Sequence, residues 1–112
     1  MTCLYSPADF ELIKLPNQLQ TISADVCKAF CVSSTDMKSD RQDRHTSIAR
    51  WAFCWLCVKC TSKNYLQIAK FLKKDRTSVS HGFKRANEMR AADEHFFSVT
   101  ECLKKQYLEI FG

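Results

Sequence analysis

Apolar positions recur at helical spacing along most of the chain. From Gln18 to Phe30, the residues Ile22, Val26, Cys27 and Phe30 fall on one side, which predicts an amphipathic helix. Val32 to Met37 reads as a turn into a short helical segment that returns Met37 to the core. The polar run Lys38 to Ser47 follows, carrying Arg41, Arg44 and His45. Ile48 to Cys60 is then apolar nearly all round, interrupted only by Arg50 and Lys59. A helix hydrophobic on every side is the central, buried one. At that length it is too short to span a bilayer, which needs about 20 residues. Leu66, Ile68, Ala69, Phe71 and Leu72 form a further apolar stripe, broken by Lys73, Lys74 and Asp75. Val79, Phe83, Ala86 and Met89 follow in steps of four, three and three, so the next helix buries one face. Asp93 to Phe111 supplies a last amphipathic helix or two. Residues 1–18 hold Leu4, Tyr5, Phe10, Leu12, Ile13 and Leu15, a short helix after Ser6-Pro7 that ends near Pro16. With only two glycines and two prolines in 112 residues, the expected fold class is all-α.

The stretch Tyr65 to His81 organises the rest: a short helix, a tight turn and the start of a second helix. Asp75 is suited to cap that second helix, its carboxylate accepting from the backbone N–H of Thr77 or Ser78. With Val79 at the centre of the buried face and about 100° per residue, Thr77, His81, Lys84 and Glu88 fall on the far side. Arg76 and Ser80 lie on one flank, Ser78 and Arg85 on the other. The exposed first turn is thus Arg-Thr-Ser at a helix N-terminus, whose partial positive charge and unpaired N–H groups favour phosphate. An arginine there can also take guanine bidentately in the major groove. This is what the second helix of a helix-turn-helix requires; the plain alternative is the solvated surface of a helical bundle.

Charge placement favours the first reading. The net charge is +5, but residues 38–90 hold 13 Lys/Arg against four acids (Asp40, Asp43, Asp75, Glu88), a net of +9, while each flank is −2. A basic middle between acidic ends is a localised polyanion footprint. The chain length fits one domain, and 46% hydrophobic residues exclude disorder. No apolar run reaches about 18 residues and no export signal opens the chain, so a soluble, cytoplasmic, nucleoid-associated protein is expected. Seven cysteines, an odd number without an export signal, do not read as a disulfide framework.

The order of these pieces resembles the C-terminal DNA-binding domain of the bacterial replication initiator DnaA, a helix-turn-helix of the Trp-repressor-like group. Lys74-Asp-Arg-Thr-Ser-Val-Ser-His81 is similar to that family's signature Arg-Asp-His-Thr-Thr-Val-Leu-His. Leu66-Gln-Ile-Ala-Lys-Phe-Leu72 resembles its Leu-Pro-Glu-Ile-Gly-x-x-Phe, with one residue missing before the turn. Arg44-x-x-x-Ile48-Ala-Arg50 looks like the basic lead-in to its long central helix, and Val32-x-x-x-Asp36-Met37 like the end of its first helix. The resemblance covers about residues 19 to 106. Residues 19–112 are therefore expected to form the domain, after an unassigned extension over 1–18. It implies that Asp75, Arg76 and Thr77 sit where bases are contacted in the major groove, with Ser78 and His81 near phosphate or the groove wall. Arg50 would match an arginine holding the backbone, and either Arg41 or Arg44 one that reaches into the minor groove. Lys74, Lys84 and Arg85 would add phosphate contacts, and Ser80 a base contact. Three departures stand out: Arg76 replaces His, Ser80 replaces a Leu that touches a thymine methyl, and Trp51 replaces Gln. Base-edge contacts specify whereas phosphate contacts position, so these changes threaten the family's usual recognition sequence more than DNA binding itself.

Other chemistries fit less well. Cys54-x-x-Cys57-x-x-Cys60, with Cys27 and Cys31 as an extra pair, resembles an iron–sulfur run. The fourth position, however, is Asn64, and steps of three carry the thiols around the helix. No metal or other cofactor is expected. His45, His81 and His95 are too scattered for a site, no catalytic grouping has supporting context, and no enzyme is expected. There is no G-x-x-x-x-G-K-[ST] loop, so neither nucleotide binding nor ATPase activity is expected. The aromatic tail (Phe96, Phe97, Tyr107, Phe111) reads as core, or alternatively as a homodimer seam. The reading reached is a sequence-specific double-stranded DNA-binding module without ATPase activity. It would regulate transcription or replication, and phage or mobile-element proteins of this kind are included. The competing reading is a small interaction protein or inhibitor that binds a host protein through its basic face or aromatic C-terminal helix.

Overall fold

The computed structural model describes residues 18–40 and 42–111, without the side chains of 110 and 111. The extension expected over 1–18 lies outside the described residues except for Gln18, and so does Arg41. Among the described residues six helices follow one another: α1 Gln18–Phe30, α2 Ser34–Met37, α3 Arg44–Cys60, α4 Tyr65–Leu72, α5 Arg76–Ala92 and α6 Glu94–Phe111. Among the described residues there is no strand. None of these helices is long and apolar enough to cross a membrane.

Each boundary has a local cause. Helix α1 ends at Cys31, which takes the left-handed conformation (φ 57°), and the Val32 N–H returns to the Cys27 carbonyl at 2.9 Å. That closure satisfies a terminal carbonyl and turns Val32 into the core. Ser33 caps α2, accepting from the Asp36 N–H at 3.0 Å. Helix α3 begins four residues before the expected Ile48, because Asp43 caps it by accepting from both the N–H and the hydroxyl of Thr46 at 3.1 Å. The polar run is therefore half loop and half first turn. Asn64 and Gln67 form a reciprocal capping box on α4, each accepting at 2.9 Å. Asp93 ends α5 and starts α6, its N–H donating to the Met89 carbonyl and its Oδ1 accepting from the Phe96 N–H. The last stretch is one helix.

Helix α3 is the axis of the core, and α1, α5 and α6 pack around it. Ala49, Ala52, Phe53, Cys54, Trp55, Leu56, Cys57 and Cys60 are all buried, as the all-round apolar pattern requires. Buried polar groups stitch the layers. The Trp55 indole N–H donates to Asn87 Oδ1 at 2.9 Å, tying α3 to α5. The Tyr107 hydroxyl donates to Asp25 Oδ2 at 2.7 Å, tying α6 to α1. The Arg90 guanidinium lies between Trp55 and Phe97, 4.0 and 4.5 Å from their ring centroids, and bonds Thr100 and Glu101. Gly82 lets α5 approach α3 closely: a Cβ there would meet Cys54 Sγ at 3.2 Å. Phe96 and Tyr107 of the tail are core, but Phe97 and Leu108 are about half exposed.

Candidate nucleic-acid interface

Helices α4 and α5 form the helix-turn-helix, and the turn between them is only three residues, Lys73 to Asp75. Lys73 makes so short a turn possible by adopting the left-handed conformation (φ 59°). The Lys74 N–H then closes back on the Ala69 carbonyl at 2.9 Å. Asp75 caps α5, its Oδ1 accepting from the Ser78 N–H at 2.9 Å and the Ser78 hydroxyl at 2.8 Å. Those two bonds hold its carboxyl below the usual carboxylate range.

The exposed face of α5 is the one the spacing predicts. Val79, Gly82 and Ala86 are buried, with Phe83 and Met89 partly so. Arg76, Thr77, Ser78, Ser80, His81, Lys84 and Arg85 are all exposed. Arg76 opens the helix and lines an open cleft of about 490 Å³ with Lys63, Asn64, Tyr65 and Leu66 at the start of α4. The sequence pattern placed Leu66 in the apolar stripe, yet it is 51% exposed. The reason is angular: Leu66 lies about 200° around the helix from Ile68 and about 240° from Leu72, so only Ala69, about 60° away, is near it and it sits at the edge of the stripe. The same arithmetic applied to the stripe would have found it. A second cleft brings the exposed Arg44 of α3 near Arg85 and Glu88 of α5, with Trp51 between. The Arg85 guanidinium sits 5.4 Å from the Trp51 ring centroid and 3.1 Å from Glu88 Oε1.

A family model described as the bacterial dnaA protein helix-turn-helix matches residues 19–86. The chain belongs to this family. Among curated relatives, the chromosomal replication initiator protein DnaA of Aquifex aeolicus is 32% identical over 90 residues, covering 80% of this chain and 23% of its own length. The corresponding protein of Aliarcobacter butzleri is 30% identical over 99 residues, 88% of this chain and 22% of its own. That of Campylobacter jejuni is 31% identical over 84 residues. The chain thus spans under a quarter of the length of the curated relatives it matches.

Two cations of this DnaA-type domain are placed differently from the rest. Arg50 donates from Nε to the Met37 carbonyl at 2.9 Å and from Nη2 to the carbonyls of Asp36 (3.0 Å) and Ser39 (2.7 Å). Lys74 Nζ also donates to the Ser39 carbonyl and lies 3.4 Å from Asp40 Oδ1, its side chain 17% exposed. The three thiols of α3 do not converge. Cys54 faces Gly82 of α5, whereas Cys57 and Cys60 lie toward Tyr107 and α6. Burial pushes the Cys54 thiol up to about 12 and Cys57 well above its ordinary value, so both are protonated near neutral pH and pack as small apolar groups.

Proposed function

We propose that this domain binds double-stranded DNA sequence-specifically through the first turns of α5, and so acts in replication or transcription. The observation that carries the reading is the presentation of Arg76 and Thr77, exposed at a capped helix N-terminus and flanked by exposed Ser80, Lys84 and Arg85. Membership of the DnaA helix-turn-helix family and the relatives' role as replication initiators support it. Arg76 and Thr77 read base edges, with Asp75 and Ser80 beside them. Ser78, His81, Lys84 and Arg85 face phosphate, and either Arg41 or Arg44 the neighbouring minor groove. The domain acts as a cytoplasmic DNA-bound module, with no nucleotide-binding loop in its 112 residues.

Because Arg76 and Ser80 replace the family's His and Leu, the preferred site differs from the family's usual box, and Arg76 favours a guanine. The test is selection of bound duplexes from a random pool at about physiological salt, with wild type and Arg76→Ala in parallel. A defined motif that blurs at one position in the variant, with a loss of roughly 1–3 kcal/mol, is the expected result. An equal loss on random DNA would remove the base-reading role. No enrichment by either protein would turn attention to a protein partner.

A further inference from the structure

We propose that Lys74 and Arg50 are positioning residues which fix the first turn of α5 to α3 through one shared acceptor, the Ser39 carbonyl, rather than ligands of DNA phosphates. The proposal rests on the DNA-binding reading above and concerns how the reading turn is held. Ser39 follows α2, where its N–H (3.1 Å) and hydroxyl (2.8 Å) both donate to the Asp36 carbonyl. Arg50, from the middle of α3, fills three carbonyls at that end: those of Asp36, Met37 and Ser39. Lys74, from the turn of the helix-turn-helix, reaches the same Ser39 oxygen across a sequence gap of 35 residues. The oxygen is thereby held from two sides.

The link matters because of where Lys74 stands. It directly precedes Asp75, the cap that sets the direction of Arg76 and Thr77. The turn has no slack, since Lys73 is in the left-handed conformation and the Lys74 N–H is already tied to Ala69. A chain of contacts therefore runs from α3 through Arg50, Ser39 and Lys74 to the exposed turn. To reach a phosphate, Arg50 would have to give up charge-assisted bonds to three carbonyls, and Lys74 one to a carbonyl and a nearby carboxylate. Arg76, Lys84 and Arg85 face no such exchange with backbone carbonyls; they stand exposed on α5.

Positioning and phosphate gripping differ in salt dependence. Each phosphate neutralised contributes about −0.9 to the slope of log affinity against log salt. Lys74→Met keeps the aliphatic stem and removes the ammonium. On the selected site it is expected to bind on the order of tenfold more weakly, with the salt slope unchanged, and with a smaller loss on random DNA. Amide hydrogen exchange in the free protein is a readout independent of DNA: the Ser39 and Ser78 amides should exchange faster while those of α6 hold. Lys74→Arg should restore both. A slope flatter by about 0.9, with equal losses on specific and random DNA, would make Lys74 a phosphate ligand and overturn the proposal. Unchanged exchange at Ser39 and Ser78 in Lys74→Met would overturn it as well. Absence of binding by the wild type at every salt concentration is a different failure, that of the DNA reading itself.

Discussion

The close approach of α5 to α3 at Gly82 allows a sharp test of how α5 is seated. Alanine at 82 has two opposed effects. In a helix interior it gains about 1 kcal/mol over glycine. Its Cβ, however, would lie 3.2 Å from Cys54 Sγ, 3.4 Å from Trp51 Cδ1 and 3.5 Å from Cys54 Cβ. Comfortable contacts between carbon atoms lie at about 3.5–4.0 Å, and sulfur is larger. Cys54 must therefore retreat by a few tenths of an ångström, and it is 2% exposed, in the most buried part of α3. Overpacking of this kind costs about 1–3 kcal/mol. Gly82→Ala is thus expected to destabilise by about 0–2 kcal/mol despite its better helix propensity. Cys54→Ala alone leaves a small cavity and costs about 1 kcal/mol. Combined, the new methyl enters the space that the sulfur leaves, and the double variant should be more stable than the sum of the singles by about 1 kcal/mol or more. Urea unfolding of the four proteins, followed by circular dichroism, gives that coupling directly. If the two changes add within about 0.5 kcal/mol, the contact is not limiting and the reasoning is wrong.

Other expectations follow from the same geometry. Lys84→Ala should weaken binding to all DNA sequences alike and flatten the salt slope by about 0.9, measured by titration at several salt concentrations. Asn87→Ala strands the Trp55 indole N–H; since Asn87 is exposed and water can replace it, a loss of about 1 kcal/mol in urea unfolding is expected, the low end for an unpaired buried donor. Alkali should unfold the domain. Cys54 titrates near 9.0 when unfolded and near 12 when folded, so above about pH 9 the unfolded chain loses a proton that the fold keeps. Stability then falls with rising pH by up to about 1.4 kcal/mol per unit for this group, and Cys54→Ala, studied under reducing conditions, should flatten that slope.

Much of this fold was legible in the sequence. The central helix followed from an apolar run without a polar face, and the exposed side of α5 from steps of four, three and three. Asp75 was recognisable as a cap from its residue type and place. What the sequence does not show depends on contacts between distant segments. In the sequence Arg50 and Lys74 read as phosphate contacts, since nothing there pairs them with carbonyls 11 to 35 positions away. Nothing in the sequence marks Asn87 and Asp25 as the partners of Trp55 and Tyr107. The need for glycine at 82 is not visible in the sequence, because the sulfur it accommodates belongs to another helix. Leu66 differs for another reason: it lies at the angular edge of its stripe, near Ala69 but far round the helix from Ile68 and Leu72.

Internal pairing of cations has a measurable consequence. Were the 13 lysines and arginines of residues 38–90 all phosphate ligands, the salt slope would approach −12. At least four of them are committed within the protein. Arg50 and Lys74 hold loop carbonyls, Arg90 is sandwiched between Trp55 and Phe97 and bonded to Glu101, and Lys38 lies 4.4 Å from the Phe71 ring centroid. Nine remain, so the slope should be no steeper than about −8. The exposed cations grouped on the α5 side are fewer still: Arg44, Arg76, Lys84 and Arg85. A slope near −3 to −4 is the expectation if these alone meet the duplex. A value near −10 would mean that the internal cations let go of their partners on binding. In that case the shared hold on Ser39 would be a feature of the free protein alone, and the first turn of α5 would be set by the DNA.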